Sequence, residues 1–506
     1  MINIYNTLKP YIIVFTASAC TLIIEIVAGR ILAPTIGVSL YTWTSIIGIV
    51  LAGISLGNYL GGRIADRYPH PKTLGIILLA SGVSSIAILP IDTFASDAFL
   101  GLPIIPRIVL LTTTLFIVPA VILGMVSPVV IKLRLSDLNQ TGNIVGKIYA
   151  ISTAGSILGT FLTGFVLVQL LGTRLVILIV SLILVAMAVI FGNLTRAWKI
   201  NAALGILALV VLAAGVWTDS LDNDCVRESN YYCIKVRARD IGDREVRILY
   251  LDALLHSYVD IKDPLFLHYS YEKVFGDVAS EVAHRNPNMD SLFIGGGGYT
   301  MPRFLEVMFP SVSVEVVEID PEVTEVATEY LALPLNTSII TYTEDARTKL
   351  QELPKGKYEF IVGDAFNDVS VPYHLTTLEF NEMVYGLLAE DGVYAINIVD
   401  KMHSGRFLRS VVATLQQTFP YVYVMRDNTS WESDDRYTFV VTASRRPIEV
   451  QELASANRDL DRGAIVTHFM PDAEFARWLD GGRFSILTDD FVPVDGMLAP
   501  LYLESR

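Results

Sequence analysis

The chain has 506 residues and a formal net charge of −14 at pH 7, with 52% hydrophobic and 18% charged residues. The acidity sits in one half: residues 1–218 hold 12 Lys/Arg against 5 Asp/Glu, a charge of +7, and the remainder holds 26 against 47, a charge of −21. This excludes a basic nucleic-acid face on the second half, and the length leaves room for two or three domains. An acidic surface is what a solvated domain carries, and it also suits a cationic substrate.

A helix needs roughly 20 mostly apolar residues to cross the hydrocarbon of a bilayer. Seven stretches qualify, at about 10–33, 40–61, 73–90, 104–131, 143–170, 173–192 and 199–217, which predicts an all-α transmembrane bundle of about seven spans over residues 1–218. The first is not a cleaved leader, because it carries Glu25 and Arg30 and lacks a small-residue cleavage site before polar sequence. Those two residues read either as a helix-end pair with Arg30 reaching the interface, or as part of a proton or substrate path. Gly53, Gly57 and Gly61, and Gly155 with Gly159, recur every fourth residue and offer smooth faces for close helix packing. The loop from Gly61 to Arg67 is similar to a short loop of major-facilitator transporters, but seven spans are too few for that fold. Lys9, Arg63, Arg67, Lys72, Lys132, Arg134, Lys147, Arg196 and Lys199 fall on one side of such a bundle, against Arg30, Arg107 and Arg174 on the other. That bias predicts a multi-pass protein of the cell membrane with a cytoplasmic N-terminus, and an odd number of spans then puts the acidic half outside. Cys20 reads as packing in the first span. Cys225 and Cys233, just past the last span, read as a disulfide or as two free thiols, and their place on the oxidising side favours the bridge.

Residues 219–262 read as a small β-strand subdomain, with strands at Tyr232–Val236 and Glu245–Leu251 joined by a turn at Asp240–Asp243. A helix is predicted over about 265–284. Strands at 290–294, 313–318, 337–342, 358–363 and 392–398 then alternate with helices at 300–309, 321–331, 345–352 and 376–388. That alternation predicts a Rossmann-like, methyltransferase-type α/β domain with a parallel, doubly wound sheet over residues 263–506. Such sheets bind ligands beyond the carboxyl ends of the strands, where strand order reverses. Gly295, Gly296, Gly297 and Gly298 end the first strand there and let backbone N–H groups approach a ligand. Glu318 ends the second strand, placed for the hydroxyls of a ribose. Glu344-Asp345-Ala346 ends the third, in reach of an adenine amino group, and Asp364 ends the fourth, over the pocket. Each acid alone also reads as a helix N-cap; four consecutive strand ends with suitable groups predict a nucleoside site. His374, on a loop with Val371 and Pro372 that covers the site, reads as a capping or solvent-facing group before a catalytic one. The seven histidines have no metal-ligand spacing, so no metal is expected.

Taken together, these residues resemble the spermidine synthase family of polyamine aminopropyltransferases, in particular members fused to an N-terminal multi-span domain. The resemblance covers about 225–400. Tyr250-Leu251-Asp252-Ala253-Leu254-Leu255-His256 is similar to the family's leucine-aspartate-glycine segment, which leads to a glutamine. The glycine cluster, Val317-Glu318-Ile319-Asp320, Glu344-Asp345-Ala346 and Asp364 fall in family order, and Leu487–Val494 is similar to the C-terminal segment of fused members. The resemblance implies decarboxylated S-adenosylmethionine as co-substrate, a small amine as acceptor and methylthioadenosine as co-product. It implies that His256, Gly295, Gly296, Gly297, Glu318, Asp345, Ala346 and Pro372 hold the donor, and that Tyr271, Asn367 and Asp368 hold the acceptor. Asp364 would be the catalytic base: an ammonium has no lone pair, so it must lose a proton before attacking the carbon beside a sulfonium.

Four departures stand out. Gly298 replaces the family's aspartate for the aminopropyl amine, His256 its glutamine, Tyr271 the histidine of a Tyr-His-Glu segment, and Asn367, followed by Asp368, its second aspartate. The nucleoside half of the site is kept and the amine half altered. A second enzyme reading therefore uses S-adenosylmethionine itself, for methyl transfer or another sulfonium cleavage. A third is a non-catalytic nucleoside sensor coupled to the helices, which would have no use for Asp364. The partners expected are an amine, a lipid bilayer and a second copy of the chain, and no nucleic acid.

Overall fold

The computed structural model describes residues 2–135, 138–193, 198–217, 224–365 and 371–503. The chain forms two compact units that meet in sequence at Cys233 and Ile234.

The first unit is helical. Four helices among the described residues are long and apolar enough to cross a membrane: Leu8–Ile36, Leu40–Arg67, Ile104–Arg134 and Thr141–Phe191. The pair Pro71–Ile86 and Ile88–Ala98, bent by 45°, makes a fifth if counted as one span. This corrects the expected seven. The fifth and sixth stretches of the sequence form one 51-residue helical run, and the third is broken near Ala87. The seventh stretch falls on a helix at Trp198–Trp217 that is not among the four. Within the 51-residue run the backbone leaves helical geometry at Gly172 (φ 70°, ψ 165°). Beyond that break the Glu228 carboxylate accepts from the Thr173 N–H at 2.7 Å and from its hydroxyl at 2.8 Å.

The repeated glycines sit where backbones meet. A Cβ at Gly57 would lie 2.2 Å from the Val121 carbonyl oxygen, and one at Gly155 2.2 Å from that of Phe15. Any larger residue would force those helices apart. Arg30 is not held by Glu25. Its guanidinium donates to the carbonyls of Tyr231 (2.6 Å) and Ser229 (2.8 Å), inside the loop closed by a Cys225–Cys233 disulfide with Cα atoms 5.3 Å apart. A two-residue strand, β1 (Arg227–Glu228), lies in that loop.

The second unit opens with an antiparallel meander of β2 (Cys233–Ile241), β3 (Arg244–Leu251) and β4 (Leu254–Asp260), turning at Gly242 with φ 60°. An eight-stranded sheet follows: β5 (Asp290–Ile294), β6 (Ser313–Glu318), β7 (Ile340–Thr343), β8 (Tyr358–Gly363), β9 (Leu388–Lys401), β10 (Tyr421–Arg426), β11 (Arg436–Ser444) and β12 (His468–Phe469). Its order is β12-β10-β11-β9-β8-β5-β6-β7. The five strands from β7 to β9 are parallel, as the alternation predicts, but β11 runs antiparallel to β9 and the sheet is mixed. The chain winds outward from β5 to β7, then returns to place β8 on the other side of β5. The switch point therefore lies between β5 and β8, where the Asp364 N–H donates to the Ile294 carbonyl at 2.9 Å. The helix preceding β5 begins at Ser270 rather than 265, because Tyr269 is extended and its N–H is capped by Glu272 at 3.1 Å.

Candidate active site

A cavity of about 360 Å³ opens at the switch point. Its walls come from β4, the start of the Ser270–Arg285 helix, the glycine loop after β5, the start of the Thr300–Met308 helix, the later part of β9 and the start of β11. Such positions are where doubly wound sheets bind small ligands.

Asp364 follows β8 and faces this cavity. Its Oδ1 accepts from Asn397 Nδ2 at 2.8 Å and its Oδ2 from the Tyr271 hydroxyl at 3.3 Å. Burial pushes its carboxyl above the usual carboxylate range, and the two hydrogen bonds act against that rise. The result is a positioned base whose proton affinity is raised. Asn397 keeps its Oδ1 without a partner, buried in the same wall. Tyr271 is held by edge contact with Phe275 and by packing on Tyr269, whose hydroxyl donates to the Leu255 carbonyl. Burial raises Glu272 to about 8, so it is mostly protonated at neutral pH. Burial lowers His256 to about 4, so it is neutral there, and its Nε2 lacks a partner.

The glycine loop faces both ways. Glu318 Oε2 accepts from the N–H groups of Gly296 (2.8 Å) and Gly297 (3.4 Å), and Oε1 from that of Asp320 (3.0 Å). A carboxylate has about four lone-pair sites, so capacity remains for ribose hydroxyls. Gly298 N–H donates to Ser257 Oγ at 3.0 Å, and a Cβ at Gly298 would lie 2.6 Å from the Ser257 Cβ. The space for an aspartate side chain at that position is filled by Ser257.

Of the residues singled out in the sequence, His256, Gly295, Gly296, Gly297, Tyr271 and Asp364 line one cavity. Glu318 touches it through the glycine loop. Asp345, Ala346 and Pro372 are not on its wall. Asp345 caps the helix Ala346–Leu350 and lies 2.9 Å from His374 Nε2. Burial works to raise its carboxyl, but the hydrogen bonds from His374 and Thr348 hold it below the usual value. Asn367 and Asp368 lie outside the described residues. The C-terminal segment is tied in through Asp489, which accepts from Arg347 Nη1 at 2.7 Å. Asn397 and Thr300 escaped notice in the sequence. A lone amide in the apolar run Tyr394-Ala395-Ile396-Asn397-Ile398-Val399 was the available signal for the first.

A doubly wound α/β domain with a cavity at its switch point belongs to the broad class that binds small ligands beyond the carboxyl ends of its strands. Residues 270–445 of the second unit match the family model described as the spermine/spermidine synthase domain. A polyamine aminopropyltransferase of Vibrio vulnificus is 37% identical over 108 residues, 21% of this chain and 36% of that protein. An N-terminal histidine N-methyltransferase of Emericella nidulans is 32% identical over 189 residues, 36% of this chain and 33% of that one. The chain thus spans about a third of the length of these relatives. A probable spermidine synthase structure from Corynebacterium glutamicum aligns with a TM-score of 0.46 at 20% identity, covering 53% of this chain and 97% of that one.

Proposed function

We propose that the second unit transfers a carbon substituent from an S-adenosyl sulfonium donor to an amine, with Asp364 as the base. The observation that carries this reading is the Asp364 carboxylate held between Asn397 and Tyr271 beside the glycine loop. The amine enters as an ammonium and surrenders a proton to Asp364; its lone pair then attacks the carbon beside sulfur, and the thioether leaves. Asn397 Oδ1 accepts from a remaining N–H of the amine and orients it. Glu318 holds the ribose. The match to the family model supports aminopropyl transfer from decarboxylated S-adenosylmethionine, with methylthioadenosine released, which is polyamine chemistry.

A second reading, S-adenosylmethionine itself as donor, is favoured by Ser257 filling the space beside Gly298. A panel of amines offered with either donor, with products identified by mass spectrometry, separates them. Methylthioadenosine with a new polyamine supports the first, and S-adenosylhomocysteine with an N-methylated amine the second. Nucleoside binding without either product would leave a sensor.

For the first unit we propose insertion in the cell membrane with the N-terminus cytoplasmic and, with the bent pair Pro71–Ile86 and Ile88–Ala98 crossing as a fifth span, the second unit outside. The excess of basic residues on one side and the Cys225–Cys233 disulfide support this.

A further inference from the structure

The first unit holds an acid deep in an apolar helix. Glu25 lies in Leu8–Ile36, about 26 Å along from Leu8 and about 16 Å short of Ile36 at 1.5 Å per residue. Lysine or arginine can extend to an interface from such a depth; a glutamate is too short. Glu25 is half-buried and has neither a hydrogen bond nor an ion pair among the described residues. Arg30 is engaged by the carbonyls of Ser229 and Tyr231. The helices packed on this one carry charged or histidine side chains only near their ends or, as with Arg174, beside the Gly172 break.

The face that carries Glu25 is turned to other helices. Gly29, one turn on, is buried where a Cβ would meet the Trp43 ring at 2.8 Å. Val14 and Leu32 on the same face are buried, and Ser18 hydrogen-bonds Ser152 across the seam at 2.7 Å. Thr21, one turn back, donates its hydroxyl proton to the Ala17 carbonyl at 2.9 Å and keeps oxygen lone pairs for another donor. The packing of Gly155 on Phe15 and Gly159 on Ala19, carried forward, sets Glu25 level with a π turn, Thr163–Leu167, that packs on the same helix. A π turn leaves a carbonyl oxygen without its α-helical partner, and such turns recur at functional sites.

A bare carboxylate inside a membrane is costly, whereas a neutral acid or a carboxylate joined to a cation is tolerated. Resting on the membrane reading of the first unit, we propose that Glu25 is a monovalent-cation site. The carboxyl carries a proton when the site is empty. When a cation binds among Glu25, Thr21 and the π-turn carbonyls, that proton leaves to solvent, so the charge within the membrane is the same in both states. Oxygen ligands of this kind suit an alkali ion or a primary ammonium.

Dicyclohexylcarbodiimide couples to protonated carboxyls in apolar surroundings as a stable N-acylurea, which peptide mass spectrometry locates. The full chain in membranes is treated at fixed pH and ionic strength in choline chloride, sodium chloride or methylammonium chloride. Label is expected at Glu25 in choline, slowed about tenfold by sodium or methylammonium at about ten times its Kd. The salt that protects identifies the ion. Thr21→Val should keep the label in choline and weaken protection several-fold. No label at Glu25 in choline, or one rate in all three salts, overturns the site, as does undiminished protection in Thr21→Val. Stripping of the chain from membranes by alkaline carbonate removes the membrane reading, and the site with it.

Discussion

At the scale of single residues, the site turns on which groups hold charge. Asp364 must be ionised to take a proton, and burial raises its carboxyl above the usual range. The acid limb of kcat/KM should therefore lie above that of an exposed carboxylate. Tyr271 donates to Asp364 and so stabilises its charged form; Tyr271→Phe should move the limb to higher pH, and a limb that stays put or moves down counts against the contact. His256 supplies a stability signature. Its imidazole ordinarily titrates at 6.5 and is lowered to about 4 by burial, so between those values the unfolded chain binds the extra proton. Stability drawn from neutral His256 is thus complete above pH 6.5 and lost as pH falls towards 4. Glu272, raised to about 8, acts with the opposite sign over an overlapping window, so the comparison has to be between proteins. In thermal melts from pH 7 to 4, His256→Gln should lose less stability than the wild type.

At the scale of elements, alternation of apolar runs and turns revealed the α/β order of the second unit, and the strand ends came with it. What the sequence left hidden was spatial. Strand β11 pairs antiparallel with β9, a relation set by a connection through β10 that no local pattern encodes. Ser257, an unremarked residue of β4, decides what fits at Gly298. Asn397 and Thr300 reach the cavity only because the switch point brings the ends of β5, β8 and β9 together. In the first unit, periodicity exposed the glycine faces, but hydropathy alone divided at Gly172 a run that is helical on both sides. Gly298→Ala should destabilise the second unit by about 1–3 kcal/mol through overpacking against Ser257. Ser257→Gly in the same protein should recover part of it. Denaturant titration measures both, and a neutral Gly298→Ala would mean that the β4 contact yields more easily than its geometry implies.

At the scale of the whole molecule, an α/β domain shares a chain with apolar helices, and in a membrane its side would follow from how many of them cross. An odd number carries the second unit to the face opposite the N-terminus; an even number returns it. Membrane-impermeant labelling of a cysteine placed in the exposed Gly242 turn, in a Cys20→Ala background, should succeed in intact cells if the unit lies outside. Labelling only after lysis would set the parity the other way and place the site among cytoplasmic S-adenosyl donors. On the proposed reading, Asp364 is the base for attack of an amine on an S-adenosyl sulfonium. The measurement that addresses it most directly is turnover by the detergent-purified chain beside Asp364→Asn. Each receives S-adenosylmethionine or its decarboxylated form with and without amine, and methylthioadenosine and S-adenosylhomocysteine are quantified. We expect amine-dependent release of one of these nucleosides, reduced about 100- to 10,000-fold in Asp364→Asn while nucleoside binding persists. Release that is undiminished in the variant, or nucleoside binding with no release from either donor, would contradict it.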